Sequence, residues 1–303
     1  MIVAMPSSEP RRNQGNTLVQ NAPLPAWINE GASRDSWSWV SRITSRKGSP
    51  IVARMVDKIA VITGGTTGIG FATARRFIDE GATVVVTGQD AERVRAAGQR
   101  LGTNARAMTT DVRSIAALRA TFADIGRDLG RIDVLFANAG ISRPRPLEAV
   151  TETDFDEQIA VNLRGTFFTV QAAVPYLEAG ASVILNSSIN ARVGWREMSV
   201  YAASKAAVRS LARSFATEMA ERGIRVNSIS PGPVDTPMMT KLQESSRDPK
   251  ALARVVSDMK SQLTIGRVCT ADEIAAVVLF LASSDSSYML GADVVVDGGI
   301  VGT

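Results

Sequence analysis

Residues 59–70 read IAVITGGTTGIG: a short apolar run rich in β-branched residues, a glycine-rich turn, and then the start of a helical pattern. A buried-strand signal that runs straight into a helix sets a rhythm, and the rest of the chain keeps it. TVVVT (83–87), ARAMT (105–109), DVLFA (133–137), SVILN (182–186), RVNSI (225–229) and DVVVD (293–297) are the further strand candidates, separated by longer helical spacers. Strands alternating with helices mean successive right-handed βαβ units and a parallel sheet covered on both faces. The expected fold is therefore α/β: a single Rossmann-type doubly wound parallel sheet of seven strands with helices on both faces. No internal repeat or linker breaks residues 55–303, which are expected to form one domain containing both cofactor and substrate sites.

Composition narrows the chemistry. The chain has 303 residues, 45% of them apolar, enough for a sizeable core. Its net charge of +4 comes from residues 1–54, which hold seven Lys/Arg against three Asp/Glu; the remainder balances at 27 of each sign. A neutral domain has no basic surplus for a phosphate backbone, so no nucleic acid partner is expected. With no histidine and one cysteine, Cys269, neither a Ser-His-Asp nor a Cys-His unit can be assembled, and a zinc site is disfavoured. No metal is expected. Cys269 cannot form an internal disulfide, which fits a reducing, cytoplasmic setting. No run approaches the roughly 20 apolar residues that span a bilayer, so no membrane partner is expected either.

Residues 1–54 are rich in Ser, Arg, Asn and Pro, lack periodicity, and yet contain Trp27, Trp37 and Trp39. They read as an N-terminal extension. It could be a disordered leader, an Arg-rich targeting segment, or translation upstream of a start at Met55, since MVDKIAVITGG is a complete opening for the domain.

The turn at 63–70 follows the first strand and opens a helix, as a dinucleotide-binding turn requires. Gly64 permits the tight turn, Gly68 lets backbone approach a pyrophosphate, and Gly70 lets helix and strand pack closely, with the helix N-terminus facing the anion. The second strand ends VTGQD. Gly88 stands where an acid would bind the ribose of NAD, Gln89 is neutral, Asp90 reads as the cap of the next helix, and no Arg or Lys stands ready for a 2′-phosphate. The missing acid tilts the choice toward NADP(H) over NAD(H).

VYAASKAAV (200–208) places Tyr201 and Lys205 four residues apart on one helix face, among small residues. A tyrosine hydroxyl, with an ordinary pKa of about 10, is a reluctant base near neutrality. One positive charge about 6 Å away at an effective dielectric of about 20 is worth roughly 3 kcal/mol, or about two pKa units. An oxidised nicotinamide would add a second positive charge. Ser188, at the strand end LNSSINA, supplies a hydroxyl donor for an oxygen on which negative charge develops.

These pieces together resemble the short-chain dehydrogenase/reductase family across residues 55–303. The match runs in order through TGGTTGIG, NAG (138–140), Asn162 in VNLRG, Ser188, Tyr201-x-x-x-Lys205, PGPVDTP (231–237) and VDGG (296–299). The likeness is to the branch of 3-oxoacyl carrier reductases and glucose dehydrogenases. It implies a hydride transfer between nicotinamide and a carbonyl or secondary alcohol, with a catalytic group of Asn162, Ser188, Tyr201 and Lys205. Tyr201 would be the general acid or base, Ser188 would polarise the substrate oxygen, and Lys205 would depress the Tyr201 pKa and hold the nicotinamide ribose. Asn162 would kink its helix and hold a water. The cofactor would be bound by Gly64, Thr66, Thr67, Gly68, Ile69 and Gly70, by Gln89, Asp111 and Val112, and by Asn138, Ala139 and Gly140. Tyr201 and Lys205 contribute again, with Pro231, Gly232, Val234 and Thr236. Ala137 replaces the first Asn of the commoner NNAG. A homotetramer is implied, built through the helices of Asn162 and Tyr201 and the last strand.

Substrate walls are expected from residues 189–200, with Arg192, Trp195, Arg196 and Met198, and from roughly 238–259, with Met238, Met239 and Leu242. Arg143, Arg145, Arg192 and Arg196 together would favour an anionic small-molecule carbonyl or alcohol, or an acyl carrier. The alternative to an enzyme is a catalytically silent dinucleotide-binding sensor of the same fold.

Overall fold

The protein is described here from a computed structural model, which covers residues 53–244 and 261–302, and side chains there except those of 241–244. The N-terminal extension, apart from its last two residues, thus lies outside the described residues, as do Leu242's side chain and most of the second wall segment.

Seven parallel strands build the sheet: β1 (Ile59–Thr63), β2 (Thr83–Gly88), β3 (Ala105–Thr109), β4 (Ile132–Ala137), β5 (Leu177–Asn186), β6 (Arg225–Pro231) and, last in the chain, β9 (Asp293–Val296). Their order is β3-β2-β1-β4-β5-β6-β9. The expected doubly wound sheet is therefore observed. Within it, alternate residues serve opposite faces, as a period of two demands. Val61, Val85, Leu135, Val183 and Leu185 belong to one core cluster; Ala60, Ile62, Val84, Phe136 and Ile184 belong to the other. Because both faces are buried, these strands read as continuous apolar runs.

Helices α1 (Gly68–Asp79), α2 (Ala91–Leu101) and α8 (Ala271–Ala282) are joined by α3 (Ile115–Leu129), α4 (Glu152–Ile159), α5 (Gly165–Ala173), α6 (Ser199–Met219) and the short α7 (Pro237–Glu244). The cap expected at Asp90 is present, and others act alongside it. Asp90 accepts from Arg93 N at 2.9 Å, Ser114 caps α3 and Thr151 makes a capping box with Asp154. Between α4 and α5, residues Ala160–Arg164 widen into a π-helical segment centred on Asn162. Two features exceed the expectation. β5 begins five residues early, with a register shift against β4, and a two-stranded ribbon pairs β7 (Val234–Asp235) with β8 (Cys269–Thr270).

The strand order reverses at β1, between β2 and β4, and there the carboxyl ends of the strands open a crevice. Packing beneath it is tight. A methyl group on Gly126 in α3 would stand 2.1 Å from the Tyr176 ring. Gly126→Ala should therefore lower stability by about 1–3 kcal/mol despite alanine's better helix propensity. In a Tyr176→Leu background the same change should become neutral or stabilising, as read by urea unfolding of the four proteins.

Candidate active site

A cavity of about 1110 Å³ opens at the crevice. Nearly all the residues singled out in sequence meet there. Gly64, Thr66, Thr67, Gly68 and Ile69 line one end, followed by Gln89, Asp111, Val112, Asn138, Ala139 and Gly140; Ser188, Tyr201 and Lys205 stand near the middle with Pro231, Gly232, Val234 and Thr236. Gly70 and Asn162 do not line it.

The glycine turn shows why these positions carry no side chain. Gly64 (φ 65°) and Gly68 (φ 54°) adopt left-handed backbone. A methyl at Gly70 would lie 2.4 Å from the Gly64 carbonyl oxygen, so Gly70 serves the packing of the turn against its own helix. Thr67, at the N-cap of α1, makes no side-chain cap bond, which leaves the first amides of a twelve-residue helix open toward the cavity. Uncapped amides, a positive helix end and no carboxylate on the turn suit a pyrophosphate.

Asn138 holds this turn. Its Nδ2 donates to the Thr63 and Gly64 carbonyls at 3.0 and 3.1 Å, and its Oδ1 accepts from Asn186 Nδ2 at 2.8 Å. The side chain expected to touch cofactor is thus engaged with protein. Asn186, missed in sequence, lines the cavity with a buried Oδ1 that has no partner. Its main-chain carbonyl accepts from Lys205 Nζ at 2.7 Å. Only its position at a strand end beside the serines could have flagged it.

Asn162 is completely buried, and its amide closes on Ile141 N at 2.8 Å, Ile141 O at 2.9 Å and Ser204 Oγ at 3.0 Å. Ser204 donates in turn to the Tyr201 carbonyl at 2.7 Å. The helix distortion expected at Asn162 is present as the π segment; its side chain braces the catalytic helix.

Ser188 and Tyr201 meet through their hydroxyls. Burial pushes the Tyr201 phenol above its ordinary pKa, and the Ser188 hydrogen bond opposes that only in part. Lys205 Nζ lies 5.7 Å from the centre of the Tyr201 ring, and its own burial pulls the ammonium down to about 8. The sequence estimate, which let Lys205 lower the phenol pKa, is corrected here. It weighed the Coulomb attraction and left out desolvation, which dominates both groups in the protein alone. Lys205 has one hydrogen-bond partner and no carboxylate, and the partnerless Asn186 Oδ1 lines the same cavity. An ammonium with donors to spare and an orphan acceptor suit the hydroxyls of a ribose.

Two further expectations change. Arginines do reach the far end of the cavity: Arg93 and Arg113 line it, paired with Asp90 at 3.0 Å and Asp111 at 2.7 Å. Three of the four arginines expected to favour an anionic substrate, by contrast, are paired with carboxylates. Arg143 pairs with Glu157 at 2.6 Å, Arg145 with Asp154 at 3.5 Å, and Arg192 with Asp293 at 2.7 Å. Asp293 also takes Arg209 at 3.0 Å and the hydroxyls of Ser228 and Ser230, so Arg192 anchors the wall segment to β9 and β6. Of the wall candidates, Trp195, Met198, Met238 and Met239 line the cavity; Arg192 and Arg196 do not.

The family model described as enoyl-(acyl carrier protein) reductase matches residues 64–301. An oxidoreductase of Sarocladium schorii, asL5, is 41% identical over 82% of this chain and 98% of its own. The 3-oxoacyl-[acyl-carrier-protein] reductase FabG of Thermotoga maritima is 36% identical over 82% of this chain and 99% of its own. A solved short-chain type dehydrogenase/reductase from Mycobacterium marinum superposes with a TM-score of 0.75 at 29% identity, covering 83% of this chain and 98% of the other.

Burial, which pulls Lys205 from 10.5 down to about 8, disfavours its charge in the folded protein. A lowered lysine pKa means that folding expels a proton between those values, so stability from this group rises as pH climbs from 8 toward 10.5. Lys205→Met should therefore raise the melting temperature of the ligand-free protein at pH 7, by about 1–2 kcal/mol of stability. The gain should vanish above pH 10 in the same thermal scans.

Proposed function

The chain belongs to the short-chain dehydrogenase/reductase family, and we propose that it transfers a hydride between a nicotinamide cofactor and an uncharged carbonyl or secondary alcohol, with Tyr201 as general acid or base. The observation that carries this reading is the meeting of the Ser188–Tyr201 hydroxyl pair, a buried ammonium and the glycine turn on one cavity. Bound reduced nicotinamide supplies a hydride to the carbonyl carbon. The chain's own part is to hold and move the proton. Ser188 Oγ–H hydrogen-bonds the substrate oxygen as negative charge develops, and Tyr201 gives its phenolic proton to that oxygen. A phenol whose pKa is raised by burial stays protonated across neutral pH, ready to act as acid in reduction. Lys205 holds the ribose hydroxyls with the donors it has to spare. In oxidation the proton moves in reverse.

NADP(H) is the cofactor we favour. Gly88 offers no acid to a ribose hydroxyl, and Arg93, one turn into α2, can exchange Asp90 for a 2′-phosphate. The assembly we propose is a homotetramer, with Phe155 and Phe167 half-exposed on the helices that flank Asn162. Light scattering at one protomer mass would remove that assembly.

Loss of reduced-nicotinamide absorbance with a ketone panel tests the chemistry. We expect kcat/KM with NADPH at least about 10-fold above that with NADH, and Tyr201→Phe to cut kcat by about 10²–10⁴-fold with cofactor binding intact. Cofactor binding without turnover of any carbonyl would favour the sensor instead.

A further inference from the structure

Asn190 follows Ser188 by two residues, in the 3₁₀ turn Ile189–Ala191 that leaves β5. It is 5% exposed and lines the cavity. Its main-chain N–H donates to Ser188 Oγ at 3.2 Å, and its Oδ1 accepts the Ser188 hydroxyl at 3.3 Å. The Nδ2 of the same amide is buried without any partner. An orphan amide donor is a standing cost that folded proteins rarely carry, and here it stands beside the group that would hold the reacting oxygen.

Substrate binding makes the imbalance larger. When Ser188 turns its proton toward a substrate oxygen, Asn190 Oδ1 loses its donor, and both amide atoms lack a side-chain partner. Rotation about the terminal asparagine torsion is soft, so either atom can be presented to the cavity. Among the described residues, the rest of this end gives no competing polar anchor of comparable burial. Val161, Trp195, Met198 and Met238 form apolar walls, and the Arg143 guanidinium is taken by Glu157.

We propose that Asn190 is a specificity-determining residue, whose amide binds a hydroxyl on the carbon next to the reacting carbonyl. The substrate is then an uncharged α-hydroxy ketone, or the vicinal diol in the oxidative direction. The inference rests on the carbonyl chemistry assigned to Ser188 and Tyr201. The spacing supports the neighbouring carbon: the Asn190 amide lies one hydrogen bond from Ser188 Oγ, and Ser188 holds the reacting oxygen. A hydroxyl both donates and accepts, so it can serve either amide atom, whereas a plain ketone leaves the amide unpaired. Sites built around such a bond discriminate strongly against the analogue that lacks it.

Steady-state reduction of matched pairs, acetoin against butanone and 2-hydroxycyclohexanone against cyclohexanone, tests the proposal with NADPH and the full chain. We expect wild type to favour the hydroxy ketone in at least one pair by about 100-fold in kcat/KM. Asn190→Ala should remove most of that preference, with the larger loss on the hydroxy ketone and chiefly through its KM. Asn190→Leu, of similar size but with neither donor nor acceptor, should also lose the preference, and NADPH binding by each variant shows that it is folded. Wild-type turnover of plain ketones as fast as hydroxy ketones would overturn the role of Asn190 and leave the carbonyl chemistry standing. An equal loss on both members of a pair in the variants would overturn it as well, leaving Asn190 a support for Ser188. No turnover of any of the four, with NADPH bound, would overturn both readings together.

Discussion

One buried ammonium organises the site. Lys205 is 3% exposed, meets no carboxylate, and is held by a single carbonyl at the end of β5. A charge in that position is tolerable only where the surrounding polar groups are fixed, because each that wavers leaves it less solvated. The structure fixes them in series. The Asn186 carbonyl holds Nζ, the Asn186 amide binds Asn138, and Asn138 clasps the carbonyls of Thr63 and Gly64. On the other side Ser187 Oγ donates to the Lys205 carbonyl, and Asn162 reaches the same helix through Ser204. The ends of β1, β4 and β5 and the helix of Tyr201 are thereby one hydrogen-bonded unit.

That unit explains which parts of the protein were readable in advance. The central strands announced themselves because both sheet faces are buried there, so β1, β2 and β4 are nearly uninterrupted apolar runs. The Asp90 cap was equally plain, since it acts on an amide three residues away. Local chemistry leaves local signals. The family resemblance then carried the site, because Ser188, Tyr201 and Lys205 recur at spacings the fold turns into contacts. What escaped notice depends on partners far apart in the chain. Asn186 and Asn138 are 48 residues apart, and Arg192 and Asp293 are 101 apart. Neither pairing has a periodicity to betray it, and desolvation, which reverses the expected direction for Tyr201, is a property of the assembled interior alone.

The same argument separates the charged rim from the reactive centre. Arginines near the cavity looked in sequence like a binding surface for an anion, yet each of Arg143, Arg145 and Arg192 finds a carboxylate from another element. Exposed pairs of this kind add little stability and are easily screened. Arg192 differs, because Asp293 is largely buried and is shared with Arg209, Ser228 and Ser230. A carboxylate satisfied by four groups from three elements pins the segment bearing Trp195 and Met198 against the sheet.

The reactive centre itself is built with unfilled valences. Lys205 has donors to spare, and Asn186 Oδ1 and Asn190 Nδ2 have no partner at all. A fold selected for stability alone would close these bonds or replace the groups with apolar ones. Their residues all line the same cavity. Rigid hydrogen-bonded walls around unsatisfied groups are the form that preorganisation takes in a static structure: the protein accepts the desolvation cost during folding, so that a ligand completing the bonds is bound without further rearrangement.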